Sequence, residues 1–166
     1  MATYDLLGTL DLAGQTTASF TSIPNTDADG NSYKHLIVDF VAYNNGNIIY
    51  WRINGDTSGV YNSIRSYYDY QTRALGNTGG TFFYIPADLD SVLPMQSRIE
   101  ILNYTSSNAD DKIMLWSGGS DQGGDLMSPN LNAGCFNSSG AITSLTFIAN
   151  GFTIPKGEVR LYGVAG

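Results

Sequence analysis

The sequence predicts an all-β fold, a single-domain β-sandwich or jelly roll of about ten short antiparallel strands that takes in the whole of residues 1–166. Three observations lead there. Charged residues make up only 14% of the chain, against roughly 25% in an average soluble domain, so uncharged polar groups must cover the surface. The 19 Gly and 11 Tyr suit tight turns and strands better than helices. Apolar and polar residues alternate with period two in one short segment after another, and turn residues separate the segments at regular intervals. Strands so short and evenly spaced must pack as two sheets or close on themselves.

Taken in order, the first clear strand is 35–41, where Leu36, Val38 and Phe40 share one face and His35, Ile37, Asp39 and Val41 the other. In 48–53, Ile49, Trp51 and Ile53 oppose Ile48, Tyr50 and Arg52. Ile99 and Ile101 oppose Arg98 and Glu100, while Ile113 and Leu115 oppose Lys112, Met114 and Trp116. Thr143, Leu145 and Phe147 form a further set, and Val159 and Leu161 oppose Glu158, Arg160 and Tyr162. These faces predict a core of Leu36, Val38, Phe40, Trp51, Ile53, Ile101, Leu115, Leu145, Phe147 and Leu161.

Turns are expected at 13–14, 27–32, 44–47, 54–56, 76–80, 106–111, 117–125 and 137–140, where Gly, Asn, Asp and Ser cluster. Asn54-Gly55 between alternating stretches reads as the type I′ corner of a β-hairpin, because both residues tolerate positive φ. Only the segment 86–94, with Leu89, Val92 and Leu93 between two prolines, carries the spacing of a helical turn. No linker or internal repeat marks a domain boundary.

The net charge of −7 and pI near 4.3 argue against a nucleic-acid partner, since Lys and Arg must neutralise phosphates. No apolar run approaches the roughly 20 residues that cross a bilayer, so no membrane role is expected. The N-terminal segment lacks the basic and apolar regions of a signal peptide, which predicts synthesis in a cytoplasm without export. Cys135, the single cysteine, reads as a buried structural thiol.

Chemistry-bearing patterns are few. Asp56 could be imagined as a carboxylate on a Gly-rich loop, yet no helix or Lys-Ser/Thr pair follows it. Asn25, Asp27 and Asp29 with Gly30 repeat the first half of a calcium loop, but Leu36 stands where a bidentate Glu belongs, so the loop reads as a connection between strands. His35 is the sole histidine and no Ser lies in a nucleophile elbow, which leaves no hydrolytic triad. The pairs Asp110-Asp111 and Asp121 with Asp125 lie in polar turn clusters and read as solvated. Neither a catalytic centre nor a cofactor is expected. Tyr61, Tyr67, Tyr68, Tyr70 and Tyr84 exceed the needs of one core face, and exposed members of such a cluster suit a protein interface or a sugar-stacking surface.

Four stretches, "ASFTSIPNT…YKHLIVDF" (18–40), "WRINGDTSGVYNSIRSY" (51–67), "AITSLTF" (141–147) and "VRLYGV" (159–164), together resemble a group of tailed-bacteriophage virion proteins of β-sandwich type. The matching positions include Phe20, Ile23, Pro24, Tyr33, His35, Leu36, Ile53 to Asp56, Tyr61, Ile142 to Phe147 and Leu161 to Gly163. The segment "DADGNS" between Thr26 and Tyr33 is an insertion relative to the group. This resemblance supplies no catalytic residue. It implies a capsid decoration, or cement, protein on the exterior of the head, with the major capsid protein and copies of itself, as a homotrimer, for partners. The alternative it leaves is a host-surface or glycan-binding module of a fibre or tail.

Overall fold

The computed structural model describes residues 3–43, 49–69, 72–85, 94–108, 112–121 and 127–165, and every regular element among them is a strand. In chain order these are β1 (Thr3–Asp11), β2 (Thr17–Phe20), β3 (Tyr33–Tyr43), β4 (Ile49–Ile53), β5 (Tyr61–Asp69), β6 (Thr72–Gly80), β7 (Phe83–Ile85), β8 (Pro94–Leu102), β9 (Ile113–Asp121), β10 (Met127–Phe136), β11 (Leu145–Ala149) and β12 (Lys156–Ala165). They form an antiparallel sheet of eight strands, in the order β1-β12-β3-β8-β9-β10-β5-β6, and an antiparallel sheet of four, β2-β11-β4-β7. The fold is a β-sandwich, as the alternation implies.

Residues that alternate along each strand meet between the sheets. From the larger sheet come Leu36, Val38, Phe40, Ile99, Ile101, Met114, Trp116, Phe136, Val159 and Leu161, and from the smaller Phe20, Ile49, Trp51, Ile53, Phe83, Ile85, Leu145 and Phe147. Aromatic rings bridge the layers. Trp51 meets Trp116 edge-on at 6.0 Å, and Phe40 lies 5.6 Å from Phe147. Fully burying each such side chain contributes about 1.5–3 kcal/mol, which makes this layer the main source of stability. Loop residues Leu12, Ile23, Tyr104, Ile142 and Ile154, outside the alternating runs, close its ends.

Several expectations change. Leu115 is not in the core, because β9 runs with Lys112, Met114 and Trp116 inward and Leu115 outward, 42% exposed. Lys112 can be fully buried because its ammonium donates to the carbonyls of Asn108 (3.1 Å) and Ser138 (2.7 Å), which offsets its desolvation and ties two loops together. The glycine-rich stretches at 76–80 and 117–121 are strand and not turn. At Gly118 the reason is close packing, since a Cβ there would stand 2.5 Å from the Gln96 carbonyl oxygen. The stretch 44–47 and most of the segment 86–94 lie outside the described residues.

Asn54-Gly55 forms the expected turn, with φ of 52° and 64° and the Asp56 N–H donating to Ile53 O at 3.0 Å, but it closes no hairpin. β4 belongs to the smaller sheet and β5 to the larger, so this corner carries the chain between layers. Asn54 also accepts from the Thr143 and Ser144 N–H groups (2.8 and 3.1 Å) and donates to Ala141 O (2.9 Å). One side chain thus fixes the turn to the segment entering β11.

Candidate binding surfaces

The larger sheet turns its second face outward, and the register aligns that face in rows across seven strands. One row reads Leu6, Tyr162, Ile37, Glu100, Leu115, Ala133, Ile64 from β1 to β5. The neighbouring row reads Tyr4, Val164, His35, Leu102, Ile113, Cys135, Asn62. Together they make a predominantly apolar band roughly 30 Å long at about 4.8 Å per strand. Among the described residues, every large hydrophobic that stands exposed (Tyr4, Leu6, Val41, Ile64, Ile113, Leu115 and Leu131) is on this face. Leu131 is 65% exposed and Ile64 57%. A shallow depression lined by Asn62, Ile64, Ile113, Ala133 and Cys135 lies at its β5 side.

The next two rows toward the other end of the strands carry the charges, with Leu131 and Val41 among them. Thr9, Arg160, Asp39, Arg98 and Ser117 follow one another in register. Arg98 reaches both Asp39 (3.4 Å) and Glu100 (3.5 Å), and Arg160 lies 2.6 Å from Glu158, whose charge holds the guanidinium above its ordinary pKa. All these ion pairs are exposed, so each is worth little.

The outward face of the smaller sheet is different again. Its strands contain no Asp or Glu, and its outward positions carry Thr17, Ser19, Thr146, Ile148, Tyr50, Arg52 and Tyr84. Tyr50 lies 4.2 Å from the Phe82 ring and meets Tyr84 at 5.4 Å, and Phe82 meets Tyr84 edge-on at 5.1 Å. The Arg52 guanidinium sits 5.8 Å from the Phe82 ring centre and its Nε–H donates to Thr81 O at 3.1 Å. Sequence reasoning named Tyr84 but missed Tyr50, Arg52 and Phe82. The signal was present, because Tyr50 and Arg52 are the alternate positions to Ile49, Trp51 and Ile53.

The tyrosines singled out in the sequence separate. Tyr61 is a correction: it is 1% exposed, its ring packs on Phe83 and Phe136, and its hydroxyl donates to Ile53 O (3.0 Å) while accepting from Ile53 N–H (2.9 Å). A side chain so enclosed offers nothing to a partner. Burial pushes its hydroxyl pKa up to about 12, as it does for Tyr104, and for Tyr33, whose hydroxyl donates to Asp5 (2.8 Å). The backbone of Tyr67 pairs with Asn130 and Ala74, and that of Tyr68 with Arg73, while their side chains and all of Tyr70 lie outside the described residues.

In the loop before β3, the Asp27 carboxylate accepts from the N–H groups of Asp29 (2.9 Å) and Asn31 (2.8 Å) and from the Asn31 side-chain amide (2.8 Å). The last of these above all holds its carboxyl below the usual pKa. The Asn25 carbonyl accepts from Tyr33 N–H (3.0 Å). Asn25, Asp27 and Asp29 are thus joined by the loop's own turn bonds, and among the described residues no three acidic, His or Cys side chains converge as a metal site. Asp56 likewise accepts from the Ser58 N–H (2.7 Å) and hydroxyl (2.5 Å), which lower its pKa. His35 sits on the outward face and accepts at Nδ1 from Asn103 N–H (3.3 Å). Cys135 is a further correction, half-buried on that outward face and not in the core, because Asn132, Gly134 and Phe136 take the inward positions of β10. Asp110, Asp111 and Asp125 and the side chain of Asp121 lie outside the described residues.

No family model and no curated protein matches the chain. Among solved structures it is similar to part of an exo-inulinase from Aspergillus awamori, with a TM-score of 0.40 and 14% identity over 97% of this chain. It is also similar to part of the CspB protease from Clostridium perfringens (TM-score 0.29, 10% identity, 98% of this chain) and to Eiger TNF from S. frugiperda (0.16, 7%, 95%). The chain spans 29% and 25% of the first two proteins and 92% of the third. Likenesses this distant carry no argument about what this chain does.

Proposed function

We propose that the chain is a capsid decoration protein of a tailed bacteriophage, which docks on the exterior of the assembled head through the outward face of its larger sheet. The observation that carries the reading is the gathering of every exposed large hydrophobic of the described residues on that one face. Contiguous apolar surface of a few hundred Å² marks an interaction site on a soluble protein. A stable one-to-one complex buries roughly 800 Å² per partner, more than such a band supplies. Repetition on a lattice supplies the rest, because copies joined as a homotrimer about a threefold position engage several capsomers together and avidity multiplies a modest contact. The role is mechanical. A protein that binds the expanded shell alone stabilises that shell by mass action.

The test is a phage lacking this chain. Its particles should assemble at normal yield and release DNA at lower temperature or on osmotic shock. Particles of full stability that no longer adsorb to host cells would replace this reading with the receptor-binding one.

A further inference from the structure

We propose that the outward face of the smaller sheet is a second binding site, and that its ligand is an acidic glycan, a sugar chain bearing carboxylates. Tyr50, Phe82 and Tyr84 form a mutually packed ring cluster that retains partial exposure, with Tyr50 and Phe82 stacked at 4.2 Å and tilted by 32°. Arg52 and Tyr84 also pack against the pair, so what a ligand meets is the part of the three rings that stays half-exposed. Pyranose rings offer flat C–H surfaces that suit aromatic faces, and the hydroxyls of Thr17, Ser19 and Thr146 on the same side match the polar edge of a sugar.

Charge selects the acidic class. The chain has 15 Asp and Glu against 8 Lys and Arg, yet the four strands of this sheet carry no carboxylate, and Arg52 is their one charged residue. Among the described residues no carboxylate stands within 4.0 Å of Arg52, whereas Arg98 and Arg160 on the other sheet are both paired. Its Nε–H is anchored on Thr81 O at 3.1 Å and its Cζ lies 5.8 Å from the Phe82 ring centre, so the guanidinium is held in position. A planar guanidinium so placed accepts a carboxylate through two parallel N–H bonds. The site lies on the opposite side of the sandwich from the apolar band, so it stands or falls independently of capsid docking.

Tetragalacturonate is the acidic probe and maltotetraose the neutral one, titrated into the folded chain with binding read by isotope-edited NMR. The expected result is saturable, millimolar binding of tetragalacturonate, with shifts confined to β4, β7 and the Thr81-Phe82 turn. Arg52→Gln should weaken it about tenfold, equivalent to about 1.4 kcal/mol, and Leu131→Ser on the far face should leave it unchanged. If Arg52→Gln disturbs the circular dichroism spectrum, Arg52→Lys takes its place, and weakened binding is again expected. Absence of saturable tetragalacturonate binding, equal binding of maltotetraose, or undiminished binding by the Arg52 variant would each overturn the assignment.

Discussion

The outward face of the larger sheet is one surface with two chemistries, and the strands beneath them are the same. Toward one end, Arg98, Asp39, Glu100, Arg160 and Glu158 alternate in sign and satisfy one another in water. Toward the other, Leu6, Ile113, Leu115 and Ile64 stand exposed in register. The inward side is equally buried under both, so the core does not dictate the difference. Where a sheet face needs only solubility, charge is the inexpensive answer; where it keeps aliphatic side chains in water, a partner that covers them offsets the cost.

The comparison is broken most severely by mutations that fail to distinguish inward from outward. Phe40→Ala, which empties a buried site against Phe147, should cost about 3–5 kcal/mol in denaturant unfolding. Met114→Ala should cost about 2–5 kcal/mol, whereas Leu115→Ala one position on should stay within about 0.5 kcal/mol. Equal losses would mean that β9 presents the opposite face.

Asn54→Ala removes four hydrogen-bonding roles from one side chain and leaves φ of 52° without a residue that favours it, so a loss of about 1–3 kcal/mol is expected. Alkali should act on the same interior. Tyr33, Tyr61 and Tyr104 have hydroxyls raised from 10.0 to about 12 in the fold, so the unfolded chain releases these protons first. The stability they contribute is complete below pH 10.0 and drains away toward about pH 12. Absorbance at 295 nm should show these three tyrosines ionising only as the chain unfolds; their ionisation in the folded chain at about pH 10 would contradict their burial.

The smallest effect on folding belongs to the exposed apolar residues of this face, including Leu131, which borders the band. Leu131→Lys should leave Tm within about 1 °C and yet release the protein from particles. Chelator should likewise leave Tm unchanged, because Asp27 is held by its own loop; a rise of several degrees with millimolar calcium would show otherwise.

How far the fold was legible is clearest from β3 and β9. In β3 the outward set contains His35 and Asp39, so polarity reveals which face is buried and Leu36, Val38 and Phe40 are placed correctly. At the start of β9, Ile113 to Trp116 are apolar on both faces, and Lys112, just before the strand, points inward. Parity alone then assigns Leu115 to the wrong side. Strand pairing was less legible, since nothing in Asn54-Gly55 distinguishes a hairpin from a corner between sheets. Glycine misled for a related reason: Gly118 serves a close approach within a strand and resembles a turn signal. Of the candidate sites, tyrosine abundance pointed to an interface, but Tyr61 serves the core, and the exposed aliphatic band emerged only once register aligned residues from seven strands.

Cryo-microscopy of the intact virion tests the central claim most directly, by locating this chain and the orientation of its two sheets. The account predicts density on the capsid exterior, clustered about threefold positions, with Ile64, Leu115 and Leu131 against the shell and the smaller sheet facing outward. Finding the chain on a tail or fibre, or on the head with the apolar band in solvent, would contradict it.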